Sequence, residues 1–179
     1  LLEGVYGVAV CLENDVNAGT YGEFCSGAAR GYRHVVGVFP GTGIGGGLIL
    51  DGRLYRGCSG GAGEIGHMVI QTDGRLCGCG NTGCLEAHAS KTALAKDAVG
   101  LAVSGASVII REQAGTDIKK VKSSTLLAAM EAGEQAVTDL VLRSARFLGV
   151  GLANCVNIFN PEVIVLGGGL VEKLGTLYV

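Results

Sequence analysis

The chain has 179 residues, 32 of them glycine, more than twice the usual share of roughly 7 percent. Only 2 prolines, no G-X-Y period, 48% hydrophobic and 17% charged residues exclude collagen and a disordered linker. They leave about one packed domain whose glycines bring backbone close to an ion, a ligand or another segment. A net charge of -2, from 14 basic and 16 acidic residues, argues against a nucleic-acid platform, which carries a basic excess.

In chain order, LLEG is helix-like text that passes at once into 5–12, VYGVAVCL, read as a buried strand. Asn14 and Asp15 fall just past its end. Residues 16–30 follow as a helix with small residues at Ala18, Gly22, Ala28 and Ala29. A strand over 34–39 runs into Pro40 and a glycine loop, 41–47. A strand over 47–50, the Asp51-Gly52 turn and a return over 53–56 make a hairpin, because Asp-Gly supplies the positive φ angles of a two-residue turn. A Gly/Ser loop spans 57–63 and a strand 65–70. Residues 71–84 are polar and turn-rich.

Beyond Gly83 the text is helical. Residues 86–103 read as one or two helices with Ser90 as an N-cap. Lys119, Lys120 and Lys122, beside Asp117, read as the solvated approach to a helix. Ser123-Ser124 start that helix, which runs through Met130 and closes at Gly133. Residues 134–157 form a long helix with Val137, Leu140, Val141, Ser144, Leu148 and Leu152 on one broad face. Pro161 stops it, 162–166 is a fully buried strand, and Gly167-Gly168-Gly169 leads into a last helix. Strands first, then helices and a strand, make an α/β chain. The most apolar window, 98–110, is short of the roughly 20 residues a membrane helix needs, and no cationic leader with a cleavage site is read.

Of seven cysteines, Cys11, Cys25, Cys58 and Cys155 stand alone, while Cys77, Cys79 and Cys84 cluster. An odd total without a leader predicts reduced thiols and a cytoplasmic setting. Cys77 and Cys79 are too close in sequence for an unstrained bridge.

The run Gly41-Thr42-Gly43-Ile44-Gly45-Gly46-Gly47 formally contains G-x-G-x-x-G, but a dinucleotide site needs a helix opening at the third glycine. Here a hairpin follows, and no P-loop text is present. Amides of a glycine turn between strands still cradle phosphate oxygens, with the Thr42 hydroxyl as a further donor; the plain alternative is a tight turn without a ligand. Gly167 to Gly169 stand after a strand and before a helix, where open sheets bind ligands. A close helix–strand crossing explains them equally well. His67 with Cys77, Cys79 and Cys84 supplies the four N/S ligands of structural zinc, and Gly78, Gly80 and Gly83 let a short loop fold around one ion. Glu64 and Glu86 flank that knot and suggest a polar site. Asp15, between a strand end and a helix start, is positioned to accept a proton and is equally a favoured N-cap; the residue alone does not decide.

Together, Glu13-Asn14-Asp15-Val16-Asn17-Ala18, GTGIGGG at 41–47, Leu54-Tyr55-Arg56-Gly57 with GGAGEIGH at 60–67, CGCGNTGCLEA at 77–87 and NPEVIVLGGG at 160–169 resemble the ROK family of bacterial sugar kinases and related repressors. The LYRG and AGEIGHM wording is similar to the family's glucokinases. The resemblance implies an actin-like, ribonuclease H-like ATPase fold with two lobes and a small zinc knot. It implies ATP-dependent phosphorylation of a hexose, glucose first among candidates. Asp15 would be the general base, with Asn14, Glu64, His67 and Glu86 on the sugar hydroxyls. Gly41, Thr42 and Gly43 would face the ATP phosphates, and Gly168 and Gly169 the adenosine side. Mg²⁺ accompanies ATP, and His67 joins Cys77, Cys79 and Cys84 on zinc. Neither a membrane nor a nucleic acid is expected as a partner, and the family suggests a homodimer.

Family kinases open with a D-G-G-T-type phosphate loop, which this text lacks. The expectation is therefore a chain truncated at both ends. Residues 1–30 would hold the last strand and catalytic Asp of an N-terminal lobe with a connecting helix, and 31–179 an incomplete C-terminal lobe. Such a stretch is expected to be inactive alone. Two other functions stay open: a sugar-sensing repressor with its DNA-binding domain elsewhere, and a non-catalytic zinc-stabilised sugar-binding module.

Overall fold

The computed structural model describes residues 1–178. A four-stranded mixed sheet carries the order β3-β2-β1-β4. Its strands are β1 (Val35–Pro40), β2 (Ile44–Leu50), β3 (Arg53–Leu54) and β4 (Val163–Leu166). β1 and β2 pair antiparallel, as do β2 and β3, while β4 lies parallel to β1. The hairpin forms where Asp51-Gly52 predicts it, with φ 56° and 75° at the two turn residues.

Side chains alternate across the sheet, as the two-residue strand period requires. Val36, Val38 and Leu48 join the large core, with Leu94, Leu126, Val141 and Leu148 among its helical members. Val35, Ile49 and Val165 point to the other face and meet Ala29 and Phe24. The helical layer comprises α3 (Leu85–Ala89), α4 (Lys91–Val103), α5 (Val108–Ala114), α6 (Ser123–Glu131), α7 (Gln135–Phe159) and α8 (Gly169–Leu174). α1 (Leu2–Tyr6) and α2 (Asp15–Ser26) precede the sheet in the chain.

α2 lies on the opposite face from α7, and glycine is what lets it lie close. Gly37 and Gly47 are register partners, and a Cβ on either would collide with the Thr20 side chain. Gly45, two residues along β2, would likewise collide with Val16. The helix thus rests through Thr20 and Val16 on a floor without side chains, which carries its N-terminus to the Gly43–Ile44 end of β2.

Several sequence expectations need correction. Residues 5–12 form no strand: α1 occupies part of that span and the rest is irregular. Val5, Val8, Val10 and Leu12 are exposed there. A lone strand leaves its backbone groups unpaired, and none of the four described strands pairs with this segment. Residues 1–30 therefore contribute helices and coil to the described structure, without the expected last strand. The 65–70 strand is a 3₁₀ turn, Ile65–His67, followed by a single bridge from Val69 to Cys84. The helix expected over 16–30 ends at Ser26. The glycine loop is shorter than 41–47, because Ile44 to Gly47 already belong to β2. β4 is only partly buried, Val165 alone being fully so.

Helices α3, α4, α6, α7 and α8 match their text, while α5 falls where the sequence predicts no helix. Ser90 caps α4, its hydroxyl accepting the Ala93 N–H at 3.1 Å. α7 ends at Asn160, whose φ of 43° closes the helix before Pro161. The apolar window at 98–110 breaks between α4 and α5, which meet at a 108° bend. No single helix among the described residues is long and apolar enough to cross a membrane.

Candidate functional site

Four segments converge on the start of β2. α2 arrives through Val16 on Gly45, and the 57–64 loop arrives through Gly63, whose carbonyl approaches Gly46. The Glu86 carboxylate sits against Gly43 and accepts the Ile44 N–H at 2.9 Å. The first turn of α4 holds the glycine turn from outside: Lys91 N–H donates to the Gly41 carbonyl at 2.8 Å, and the Thr92 hydroxyl to the Thr42 carbonyl at 2.7 Å. With both carbonyls engaged and no N–H bond from Thr42 or Gly43 among the described residues, the turn presents its donors outward.

Asn14 is the N-cap of α2. Its Oδ1 accepts the Val16 N–H at 3.0 Å and the Asn17 N–H at 3.1 Å, leaving its Nδ2 to donate elsewhere. Asp15 is the first helical residue and is exposed. The capping role belongs to Asn14; Asp15 Oδ1 also accepts the Val16 N–H at 3.0 Å, which leaves Oδ2 for other chemistry.

The 3₁₀ turn at 65–67 brings Glu64 and His67 to one side, because residues three apart eclipse in that helix. Glu64 Oε2 lies 3.9 Å from His67 Nε2. The other ring nitrogen, Nδ1, lies 3.7 Å from the Cys77 sulfur. Histidine 67 therefore faces thiols with one nitrogen and a carboxylate with the other.

The ligand atoms of His67, Cys77, Cys79 and Cys84 all lie within 4.8 Å of one another. Cys79 and Cys84 sulfurs are 3.6 Å apart. Three sulfurs and one imidazole at that spacing are a donor set able to take a single tetrahedral cation such as zinc. Burial pushes the Cys84 thiol up to about 12, and the Asn81 backbone hydrogen bond lowers that of exposed Cys79. A cation would reverse the first effect, since a coordinating thiol is deprotonated outright. Glu86 Oε1 lies 4.0 Å from the Cys77 sulfur, so one carboxylate ties the cysteine cluster to the glycine turn. Beside it opens a cleft of about 540 Å³ lined by Thr42, Gly43, Cys77, Glu86, Thr92 and Lys96 among others.

Gly168 lies against Pro40, the β1 partner of Ile44, so the end of β4 borders this convergence across β1. A Cβ on Gly168, at φ +90°, would meet the Pro40 carbonyl, and one on Gly167 would meet Phe39. The close crossing of β4 and β1 accounts for those two glycines; nothing within 4 Å of a Cβ explains Gly169. Sequence reasoning passed over Glu13, Arg56 and Thr92 as site residues. The first two lay inside motifs already quoted, while Thr92 carried no local signal.

A family model described as "ROK family" matches residues 1–178. A glucokinase of Streptomyces coelicolor is 37% identical over 175 residues, covering 96% of this chain and 55% of the relative. A xylose repressor of Bacillus subtilis is 36% identical over 168 residues, covering 94% of this chain and 40% of the relative. The crystal structure of a ROK family glucokinase from Streptomyces griseus, in complex with glucose and AMPPNP, matches with a TM-score of 0.84 at 34% identity. That match covers 96% of this chain and 56% of the other. This chain thus spans about half the length of the glucokinases it matches.

Proposed function

The chain belongs to the ROK family, and on that premise we propose that it carries the sugar-binding and base-bearing part of an ATP-dependent hexose kinase, with glucose as substrate. The observation that carries this reading is the convergence at the start of β2. An exposed carboxylate in the first turn of α2, a glycine turn with two unbonded N–H groups, and the Glu64, His67 and Glu86 side chains gather around one strand end.

In this reading Asp15 takes the proton of the attacking sugar hydroxyl. Asn14 Nδ2, Glu64, His67 Nε2 and Glu86 hold the other hydroxyls. Phosphoryl transfer asks mainly for in-line positioning and charge stabilisation. Gly41, Thr42 and Gly43 would face the ATP phosphates, the donors being the Thr42 and Gly43 N–H groups and the Thr42 hydroxyl, since the Gly41 N–H already bonds the Gly43 carbonyl; Mg²⁺ would be the metal of the nucleotide. Gly168 and Gly169 would border the adenosine. Zinc on His67 Nδ1, Cys77, Cys79 and Cys84 supplies rigidity rather than chemistry. It would fix the His67 ring so that Nε2 carries the proton toward the sugar. The lobe boundary falls near residue 30, the protein works as a homodimer where ATP is available in the cytoplasm, and the 179 residues alone are inactive.

Asp15→Asn in a full-length ROK chain carrying residues 1–179 tests the base. The expected result is a fall in kcat of about 10²–10⁴-fold with glucose binding retained by calorimetry. An unchanged rate removes Asp15 as base. A full-length chain that binds glucose, shows no turnover and retains sequence-specific DNA binding supports the second reading, a sugar-sensing repressor, which the likeness to the xylose repressor favours.

A further inference from the structure

Glu13 stands immediately before Asn14 and Asp15, and its carboxylate gathers four donors. Oε1 accepts the Asn14 N–H at 3.0 Å and the Asn17 Nδ2 at 3.2 Å. Oε2 accepts from Arg56 through Nε at 2.7 Å and Nη2 at 2.6 Å. The Arg56 hydrogen bond is the largest of the effects that hold the Glu13 carboxyl below its ordinary value.

Arg56 lies just beyond β3, at the start of the loop that ends in Glu64. Its carbonyl accepts the Ala62 N–H at 3.1 Å, two residues short of Glu64. Among the described residues, the Arg56 pair is the only side-chain hydrogen bond or ion pair from residues 1–13 to the chain beyond α2. The segment that delivers Asp15 is therefore tied to the loop that delivers Glu64 through one charged fork.

Stability is a weak reason for that arrangement. The Arg56 and Glu13 side chains are 54% and 26% exposed, and exposed ion pairs contribute little to folding. Geometry is a stronger reason, because a forked guanidinium contact fixes direction as well as distance. Asn17 reinforces it: the residue is 3% exposed and its Oδ1 has no donor, so its side chain is held through Glu13 alone.

We propose that Glu13 and Arg56 are positioning residues, a latch that sets Asp15 against the Glu64 loop and so governs turnover rather than sugar affinity. The proposal rests on the kinase reading above. It is tested in a full-length ROK chain carrying residues 1–179, with Glu13→Gln, Arg56→Gln, Arg56→Lys and the double Gln variant. Glu13→Gln keeps a carbonyl for Asn14 and Asn17 and removes only the charge that Arg56 grips.

Each single Gln variant is expected to lose at least about tenfold in kcat, since a small misplacement of a reacting group costs up to about 10²-fold. The sugar KM and the thermal midpoint stay as they were. The double variant falls no further than either single, as expected for partners in one interaction. Arg56→Lys is intermediate, keeping the charge without the fork. A kcat within twofold of the parent in both singles, an additive double variant, or a loss that follows a falling thermal midpoint overturns the latch. A parent without turnover overturns the kinase reading instead. The latch is then read by hydrogen exchange at the Asn14 amide: faster exchange in Arg56→Gln supports it, and unchanged exchange overturns it.

Discussion

The Thr20 side chain occupies the place that a Cβ on Gly47 would take, its own Cβ lying 2.7 Å from that position. Much of the glycine excess is explained by contacts of this kind. Gly37, Gly45 and Gly47 make room for α2, and Gly46 makes room for the carbonyl of Gly63. The run that looks like a phosphate cradle is mostly a packing surface, with only its first three residues left to face a ligand.

Gly47→Ala is therefore expected to destabilise the fold by about 1–3 kcal/mol, the usual cost of forcing atoms into a filled interior. Gly22→Ala is the control. It lies in the same helix as Thr20, has nothing within 4 Å of the new Cβ, and should stabilise by about 0.5–1 kcal/mol. Denaturant melts of both variants decide the matter; equal effects would remove the packing account.

Local features were legible in the sequence, and long-range ones were not. The Asp51-Gly52 hairpin, the Ser90 cap, the 25-residue α7 and the His67/Cys cluster each announce themselves within a few neighbouring residues or by a periodic pattern. The reason for Gly45 or Gly47 lies in α2, at Val16 and Thr20, too far away in the chain for any local pattern to record. Residues 5–12 have strand composition but no partner, and composition cannot supply one. Residues 65–70 look apolar enough for a strand, yet the carbonyl of Ile44 pressing on Gly66 accompanies a tight turn there. In the candidate site, residue types were readable from motifs, whereas the pairing of Glu13 with Arg56 needed the folded chain.

Glu134 shows the same limit and yields a pH prediction. Standing just before α7, it caps another helix: it accepts the Val108 and Ile109 N–H groups, each at 2.9 Å, and the Ser107 hydroxyl. Desolvation raises its carboxyl, but those three donors outweigh it and leave the group below its ordinary value of 4.5. A depressed carboxyl stabilises the fold above its unfolded pKa, and that stability is lost as pH falls through the folded value. Glu134→Gln should cost about 1 kcal/mol at neutral pH and flatten the decline of the thermal midpoint below about pH 4.5. A variant melting in parallel with the parent at every pH would exclude the cap.

Tyr178 closes the helical layer. Its hydroxyl donates to the Ala89 carbonyl at 2.8 Å and meets the Ser144 hydroxyl at 3.0 Å, and burial raises its phenol to about 12. Tyr178→Phe leaves a buried carbonyl and a buried hydroxyl short of a partner, a loss of about 1–3 kcal/mol. Thermal unfolding measures it. Tyr178→Phe together with Ser144→Ala should cost less than the two single effects combined, because both remove parts of one network.

The cysteine cluster makes the most direct prediction. If His67, Cys77, Cys79 and Cys84 hold zinc, the purified chain should carry close to one equivalent by elemental analysis. Cys84→Ser should carry less than half, since it removes a buried sulfur 3.6 Å from Cys79. Cys58→Ser, at an exposed thiol outside the cluster, should keep its metal. Because binding free energy at such a site is folding free energy, a chelator should lower the thermal midpoint of the parent and of Cys58→Ser, and leave Cys84→Ser nearly unchanged. The same treatment should weaken sugar binding in a full-length chain, because Glu86 joins Cys77 to the Ile44 amide and moves if the cluster loosens. A parent chain with less than half an equivalent, whose melting ignores the chelator, would leave the cluster as three thiols beside a histidine and would remove zinc from the proposed site.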